Sequence, residues 1–191
     1  SPTVLEHLAT ISSRYSNLEF DLEKGRRGSR YNAVEGIICE LSGARAAMIV
    51  NNNAAATLLC LDTLARGREV IVSRGELVEI GGADGTATAA ELEAAITDET
   101  AAILYFYNVN RMGGMVPLEQ GIGIAQRHDV PLIVDAAAQI PPVENLWRFT
   151  HMGADLALFS GGKGLRGPQS SGLVLGRKDL VAACAFHACP R

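Results

Sequence analysis

The order of apolar and polar residues along the chain shows two patterns, one typical of buried strands and one typical of helices. Short, almost entirely apolar runs predict buried strands, and amphipathic or Ala-rich segments between them predict helices. The predicted strands are residues 44–50, 69–73, 101–106, 131–135, 154–160 and 172–176, and the predicted helices are residues 31–42, 54–65, 89–96 and 117–128. Near-continuous apolar strands that alternate with helices indicate an α/β fold, with a mostly parallel sheet and helices on both faces.

Ligands of such sheets bind at the carboxyl ends of the strands, so the residues that follow each strand are the candidate site. Polar or charged side chains stand at these positions after five of the predicted strands. They are Asn52, Asn53, Arg74, Asn108, Asp135, Ser160 and Lys163.

Composition and charge narrow the class of protein. The 191 residues are 48% hydrophobic and 20% charged, which suits a chain with a sizeable core. A net charge of -4 gives no overall basic field, so nucleic acid is disfavoured as a partner. The four histidines and four cysteines lack zinc-site spacing, and no apolar run reaches bilayer length. We therefore expect a cytoplasmic protein without a metal and without a membrane span.

Lys163 lies among glycines directly after the apolar run 154–160. Such a segment packs poorly, because glycine costs backbone entropy and lysine adds no buried apolar contact. A lysine at an open strand end can form a Schiff base with pyridoxal phosphate. The alternative is a solvated lysine in a Gly-rich turn.

Asp135 ends the apolar strand 131–135. A carboxylate beside the pyridine nitrogen of pyridoxal phosphate keeps that nitrogen protonated. Gln139, one helical turn later, is a neutral donor that could reach the phenolic oxygen of the ring. The alternative for Asp135 is a helix cap, which is common after strands.

The polar turn 51–53 joins a strand to a helix that begins with small residues, Ala54 and Ala55. Small side chains let a phosphate approach the free N–H groups of a helix N-terminus. A plain helix cap is the alternative. The three elements follow one another as phosphate turn, ring-nitrogen carboxylate and Schiff-base lysine, and their joint occurrence by chance is much less probable than any one of them.

Several stretches carry a family resemblance. They are residues 15–25, the Arg-Gly-Ser-Arg-Tyr motif at 27–31, and residues 50–56, 72–82, 159–163 and 167–169. In these the chain resembles fold-type I pyridoxal-phosphate enzymes of the selenocysteine synthase (L-seryl-tRNA(Sec) selenium transferase)-like group. Within that group it is most similar to relatives of the D-glucosaminate-6-phosphate ammonia-lyase type.

The resemblance implies the large domain of a fold-type I enzyme and a role for each candidate residue. Lys163 would be the Schiff-base lysine and Asp135 the partner of the pyridinium nitrogen. Arg74 would lie over the cofactor ring, and Arg27 and Arg30 would bind an anionic group of the substrate. The contacts implied for the cofactor phosphate are Asn52, Asn53, Ala54 and Ala55.

The implied domains are an N-terminal arm with the substrate-anion motif (1–30), a cofactor-binding large domain (31–180) and the start of a C-terminal small domain (181–191). Family members continue after Gly82 with a further strand and helix. The Gly-rich segment 79–86 is therefore either a flexible loop or a point at which this chain lacks residues. The selenium transferases also carry an N-terminal extension for tRNA, and nothing like it precedes Tyr15.

The expected activity is a pyridoxal-phosphate-dependent lyase. It would perform α,β-elimination on a β-hydroxy amino acid or a phosphorylated amino-sugar acid, releasing ammonia and a 2-keto product. The expected partners are a small anionic amine as substrate and further copies of the chain in a homo-oligomer. The alternatives are L-seryl-tRNA(Sec) selenium transferase and, from another class, an inactive scaffold or binding protein with this fold.

Overall fold

The computed structural model of the chain describes residues 2–72, 86–107 and 114–188. Its strands are β1 (Phe20–Asp21), β2 (Arg26–Arg27), β3 (Ala46–Val50), β4 (Glu69–Val72), β5 (Thr100–Phe106), β6 (Leu132–Asp135), β7 (Leu156–Ser160) and β8 (Gly172–Gly176). Its helices are α1 (Pro2–Ser12), α2 (Glu35–Ser42), α3 (Asn53–Ala65), α4 (Ala89–Ala94), α5 (Leu118–Arg127), α6 (Asn145–His151) and α7 (Lys178–Ala188), with a 3-10 turn at Arg30–Ala33.

Six of these strands form one sheet in the order β3-β8-β7-β6-β5-β4. The pairs β4–β5, β5–β6 and β6–β7 are parallel, whereas β8 is antiparallel to both β3 and β7. The carboxyl ends of β3 to β7 therefore meet at one edge, and β8 begins at that edge. The predicted α/β fold with a mostly parallel sheet is confirmed.

Both faces of the sheet are covered, which explains why its strands are apolar at nearly every position. In β7, Phe159 packs with Ile122 and Phe149 in the cluster on the α5 and α6 side. Its neighbour Leu158 packs with Cys60 and Val181 in the cluster on the α3 and α7 side. Successive side chains of a strand point to opposite faces, so each strand contributes to both clusters.

The structure differs from the sequence prediction at the first helix. The predicted helix 31–42 is divided into the 3-10 turn and α2, because Val34 has a φ of -130° between them. The pattern also missed α1, β1, β2, α6 and α7. Of these, α1 has no buried residue.

The domain boundaries stay a prediction. Val181 and Cys184, from the segment expected to open a small domain, are buried in the cluster that α7 forms with α3. No helix in the part of the chain that the structure describes is long and apolar enough to cross a bilayer.

Tyr105 anchors β5 to the segment that precedes α5. Its ring is 1% exposed, and its hydroxyl donates a hydrogen bond to the Val116 carbonyl oxygen over 2.7 Å. Burial, with smaller contributions from Tyr107 and Glu119, raises the pKa of Tyr105 to about 12.

We predict that Tyr105→Phe lowers the free energy of unfolding by about 1 kcal/mol at neutral pH, since one buried hydrogen bond is lost. A tyrosine in the unfolded chain has a pKa of about 10. The folded-state pKa is higher, so the stabilisation by Tyr105 is complete below about pH 10 and is lost as the pH rises towards 12. Urea unfolding across this range should show a steeper alkaline loss for the wild type than for the variant. Tyr15→Phe, at a fully exposed side chain, is the control, and equal alkaline slopes for Tyr105→Phe and wild type would contradict the prediction.

Candidate functional site

The ends of β6 and β7 place Asp135 next to the segment that carries Lys163. The two strands are parallel neighbours, with Asp135 in register with Leu158. Just beyond them, the Ala136 amide donates to the Leu158 carbonyl over 3.0 Å, and the Ser160 amide donates to the Ala137 carbonyl over 3.3 Å. Asp135 and the start of the lysine loop therefore lie at the same edge of the sheet.

The turn before α3 reaches this edge from the other side. β3 ends at Val50, which is in register with Gly172, the first residue of β8. A Cβ on Gly172 would lie 2.6 Å from the Asn52 carbonyl carbon, so only a glycine allows this approach. The Asn53 side-chain amide donates to Asp135 Oδ1 over 2.9 Å. Three elements that are distant in sequence thus lie at one edge of the sheet, and the roles predicted for their residues stay predictions.

The Asn52 side chain caps the first turn of α3, which is the structural alternative given for this turn in the sequence analysis. Its side-chain oxygen accepts a hydrogen bond from the Ala55 amide over 2.8 Å, so this side chain is the N-cap of the helix. Asn52 and Ala54 are exposed. The first N–H groups of a helix lack partners within the helix, and the dipole there favours an anion. The contacts predicted for Asn52, Asn53, Ala54 and Ala55 with a phosphate stay a prediction.

Residues 161–171 form a tight loop that presents Lys163 to solvent. The Gly161 amide donates to the Ser171 carbonyl over 2.8 Å, and the Gly167 amide donates to the Gly161 carbonyl over 2.8 Å. A Cβ on Gly162 would lie 2.6 Å from the Gln169 Cα, and one on Gly164 would overlap the Ile140 carbonyl oxygen. The glycines therefore let the loop fold on itself and against Ile140, while Lys163 stays exposed.

Lys163 is distinguished by its position from the other two lysines of the chain, Lys24 and Lys178. Lys24 pairs with Asp21 in the β1–β2 hairpin over 3.1 Å. Lys178 begins α7 just after the end of β8, which is in register with the first residues of β3 and β7. Only Lys163 directly follows a strand at the edge that holds Asp135 and the α3 N-terminus.

Four further predicted cofactor contacts have different outcomes. Ser160 is half-buried at the end of β7. Gln139 does not follow Asp135 by a helical turn, because residues 136–140 form a turn rather than a helix. Its backbone carbonyl accepts a 2.6 Å hydrogen bond from the Asn145 side chain. Arg74 and Asn108 lie outside the described residues, as does most of the Gly-rich segment 79–86.

Arg27 and Arg30 have a partner within the chain. Both pair with the Glu19 carboxylate, Arg27 over 2.8 Å, and both are exposed. Arg30 and then Arg27 lower the pKa of Glu19 by hydrogen bonds to its charged form. A substrate anion that binds these guanidinium groups would compete with Glu19, and their predicted role stays a prediction.

Thr57 is a site residue that the sequence analysis missed. Its hydroxyl lies 3.4 Å from Asp135 Oδ2. Asn53 and Thr57 are four residues apart in α3, so they share one helix face. That spacing is the signal that could have identified Thr57.

A cavity of about 510 Å³ lies elsewhere, at the amino ends of the parallel strands. Its lining includes Arg68, Thr100, His128 and Pro131, which precede or begin β4, β5 and β6. It is separate from the edge that holds Lys163. Within the described residues, no three His, Cys, Asp or Glu side chains are grouped to hold a metal ion.

Known proteins are similar to this chain in sequence and in fold. The family described as L-seryl-tRNA selenium transferase matches residues 1–87. The L-seryl-tRNA(Sec) selenium transferase of Desulfovibrio desulfuricans is 42% identical over 208 positions, which cover 92% of this chain and 44% of that protein. Over nearly all of its length the chain is similar in sequence to the selenocysteine synthase-like group. The solved structure of D-glucosaminate-6-phosphate ammonia-lyase superposes with a TM-score of 0.79 at 26% identity, covering 98% of this chain and 56% of that one.

The chain spans about half the length of the curated relatives that it matches. The selenium transferase of Moorella thermoacetica is 40% identical over 223 positions that cover the whole chain and 47% of that protein. Those 223 positions exceed the 191 residues of this chain, so the relative has internal residues without a counterpart here. This agrees with the expectation that family members contain an additional segment.

We predict that Gly164→Ala lowers the free energy of unfolding by about 1–3 kcal/mol, because the added methyl group must displace the loop from Ile140. Gly36→Ala in α2 is the matched control, since its added Cβ meets no atom within 4 Å. The control should gain up to about 1 kcal/mol from the better helix propensity of alanine. Urea unfolding of both variants makes the comparison. Wild-type stability in Gly164→Ala would show that the loop is not held against Ile140.

Proposed function

We propose that the protein is a pyridoxal-phosphate-dependent enzyme whose cofactor binds at the Lys163 edge of the sheet. The observation that carries the proposal is the convergence of the α3 N-terminus, Asp135 and the Lys163 loop at that edge. Each of them alone has an ordinary structural explanation. Together they provide an anion site, a carboxylate and an exposed amine, which are the groups that this cofactor requires.

The residues present fit the cofactor. A phosphate would be bound by the free N–H groups at the start of α3. Asp135 would accept a hydrogen bond from the protonated ring nitrogen. The side-chain oxygen of Asn53 is buried and has no hydrogen-bond partner among the described residues. Such polar groups are rare in finished protein cores and are typical of functional sites.

When bound, pyridoxal phosphate supplies an electron sink for negative charge that develops at the α-carbon of the substrate. The chain supplies the remaining functions. Lys163 would hold the cofactor through its aldehyde, and its amine, once free, would take up the α-proton of the substrate. Asp135 fixes the ring by its negative charge. Loss of an oxygen substituent from the β-carbon would complete the elimination, with the electron pair of the α C–H bond forming the new double bond.

Two reactions begin in this way, and the comparisons change the expected order between them. The sequence analysis placed an ammonia-lyase first. The curated relatives, at 39–42% identity, are named L-seryl-tRNA(Sec) selenium transferases. Selenium transfer to a seryl-tRNA is therefore the first candidate. It also means that the net charge of -4 is a weak argument against a nucleic-acid partner, because a local basic patch suffices.

The second candidate is ammonia release from a phosphorylated amino-sugar acid. It is favoured by the similarity of nearly the whole chain to D-glucosaminate-6-phosphate ammonia-lyase. Arg27 and Arg30 would then bind the anionic group of the substrate. The presence of both Lys163 and Asp135 argues against an inactive scaffold. A homo-oligomer and a cytoplasmic location remain predictions.

We predict that the cofactor is attached to Lys163. Borohydride reduction of the cofactor-loaded protein, followed by peptide mapping, should find the label on Lys163 alone. Lys163→Ala should lose the visible absorbance band on dialysis, because no amine remains at this edge to bind the aldehyde. Lys178→Ala is the matched control and should keep it. A label on Lys24 or Lys178 would contradict the assignment.

The two candidate reactions predict different substrates. If the first is right, the protein binds seryl-tRNA(Sec) at physiological salt in preference to other tRNAs and converts its seryl group in the presence of selenophosphate. If the second is right, tRNA binding is weak and is lost by about 0.2 M salt, because only phosphate neutralisation drives it. Ammonia is then released from an amino-sugar acid phosphate. If the cofactor-loaded protein catalyses neither conversion, the inactive scaffold is the remaining alternative.

A further inference from the structure

Asp135 receives three hydrogen bonds, and they are distributed unequally between its two oxygens. Oδ1 accepts from the Asn53 side-chain amide over 2.9 Å and from the Ala137 backbone amide over 3.1 Å. Oδ2 has one long contact, 3.4 Å, with the Thr57 hydroxyl. Among the described residues, Oδ2 is therefore the oxygen with capacity for a further donor.

The contact between the Thr57 hydroxyl and Asp135 Oδ2 is a weak hydrogen bond. The same hydroxyl lies 3.1 Å from the Asn53 backbone carbonyl, one helical turn earlier. A hydroxyl has a single proton, so Thr57 cannot donate fully to both acceptors. The shorter distance favours the backbone carbonyl, and Asn53 is the side chain that principally holds Asp135.

The orientation of the Asn53 amide follows from chemistry. An ionised carboxylate only accepts hydrogen bonds, so the nitrogen of the amide must face Asp135. The amide oxygen then points into a buried position without a described partner. A buried acceptor without a partner is unfavourable, and an apolar side chain of similar size would avoid it. Asparagine at this position is thus poorly explained by packing alone.

We infer that Asn53 is a positioning residue for Asp135. It holds Oδ1 and stops rotation of the carboxylate, so that Oδ2 is the oxygen presented to the ring nitrogen of the cofactor. This role of the side chain differs from the phosphate contact predicted for Asn53. The inference rests on the proposed function, because it assumes that Asp135 binds the ring nitrogen.

The test compares two ligands of the cofactor-free protein. One is pyridoxal phosphate, and the other is its analogue with a carbon in place of the ring nitrogen. Both keep the aldehyde and the phosphate, so the ratio of their dissociation constants reports only the contact at the ring nitrogen. We expect the wild type to prefer pyridoxal phosphate by about tenfold or more, and Asp135→Asn to lose most of this preference.

Asn53→Leu should reduce the preference to within about threefold, because the unanchored carboxylate no longer presents Oδ2 in one orientation. Asn53→Ala is a second variant in case leucine is not accommodated, and circular dichroism checks that both fold. Asn52→Ala is the matched control, since it removes an asparagine of the same turn that caps α3 and does not contact Asp135. It should weaken both ligands alike and keep the ratio.

The outcomes separate this inference from the proposed function. A full preference in both Asn53 variants, or an equal loss of affinity for both ligands, would overturn the positioning role and leave Asp135 as the partner of the ring nitrogen. No preference in the wild type would overturn the role of Asp135 itself, and the inference with it. A reduced ratio in the Asn53 variants, beside an unchanged ratio in Asn52→Ala, supports it.

Discussion

The hydrogen bond from Asn53 to Asp135 joins two parts of the chain that are 82 positions apart. It ties the first turn of α3 to the end of β6, and the proposed site depends on that connection. The same helix turn contains the cap residue Asn52 and the free N–H groups suited to a phosphate. One helix end therefore sets the positions of the anion site and of the carboxylate relative to each other. Lys163 alone is positioned by a separate element.

The antiparallel strand β8 makes that separate element possible. A parallel crossover would carry the chain after β7 away from the edge, over a face of the sheet. Here the chain turns back within residues 161–171, and β8 begins at the edge where β7 ended. The glycines on each side of Lys163 allow this tight return against Ile140 and Gln169. Lys163 is thereby carried by a short, internally bonded loop that begins at the edge of the sheet where Asp135 ends β6.

Much of this arrangement could be predicted from local patterns. The strands are apolar on both faces because helices cover both, so their positions and the mostly parallel character of the sheet follow from the sequence, whereas the antiparallel direction of β8 does not. The placement of Asp135 and Lys163 at one edge follows from the rule that parallel strands end together. The helix formed by residues 145–151 and the hairpin at 20–27 could not be found in this way. Both elements are short, and the apolar residues of the hairpin have no regular spacing.

The sequence by itself indicated the fold class, the family resemblance and the three elements of the proposed site, because each is encoded in consecutive residues with a characteristic pattern. Only the tertiary structure decided what the side chains do within those elements. Asn52 and Asn53 are chemically identical neighbours, yet one caps α3 and the other holds Asp135. Arg27 and Arg30 are predicted from the sequence to bind an anionic group of the substrate, yet in the structure both pair with Glu19. Such partners are set by the directions in which folded side chains point, which spacing along the chain does not specify.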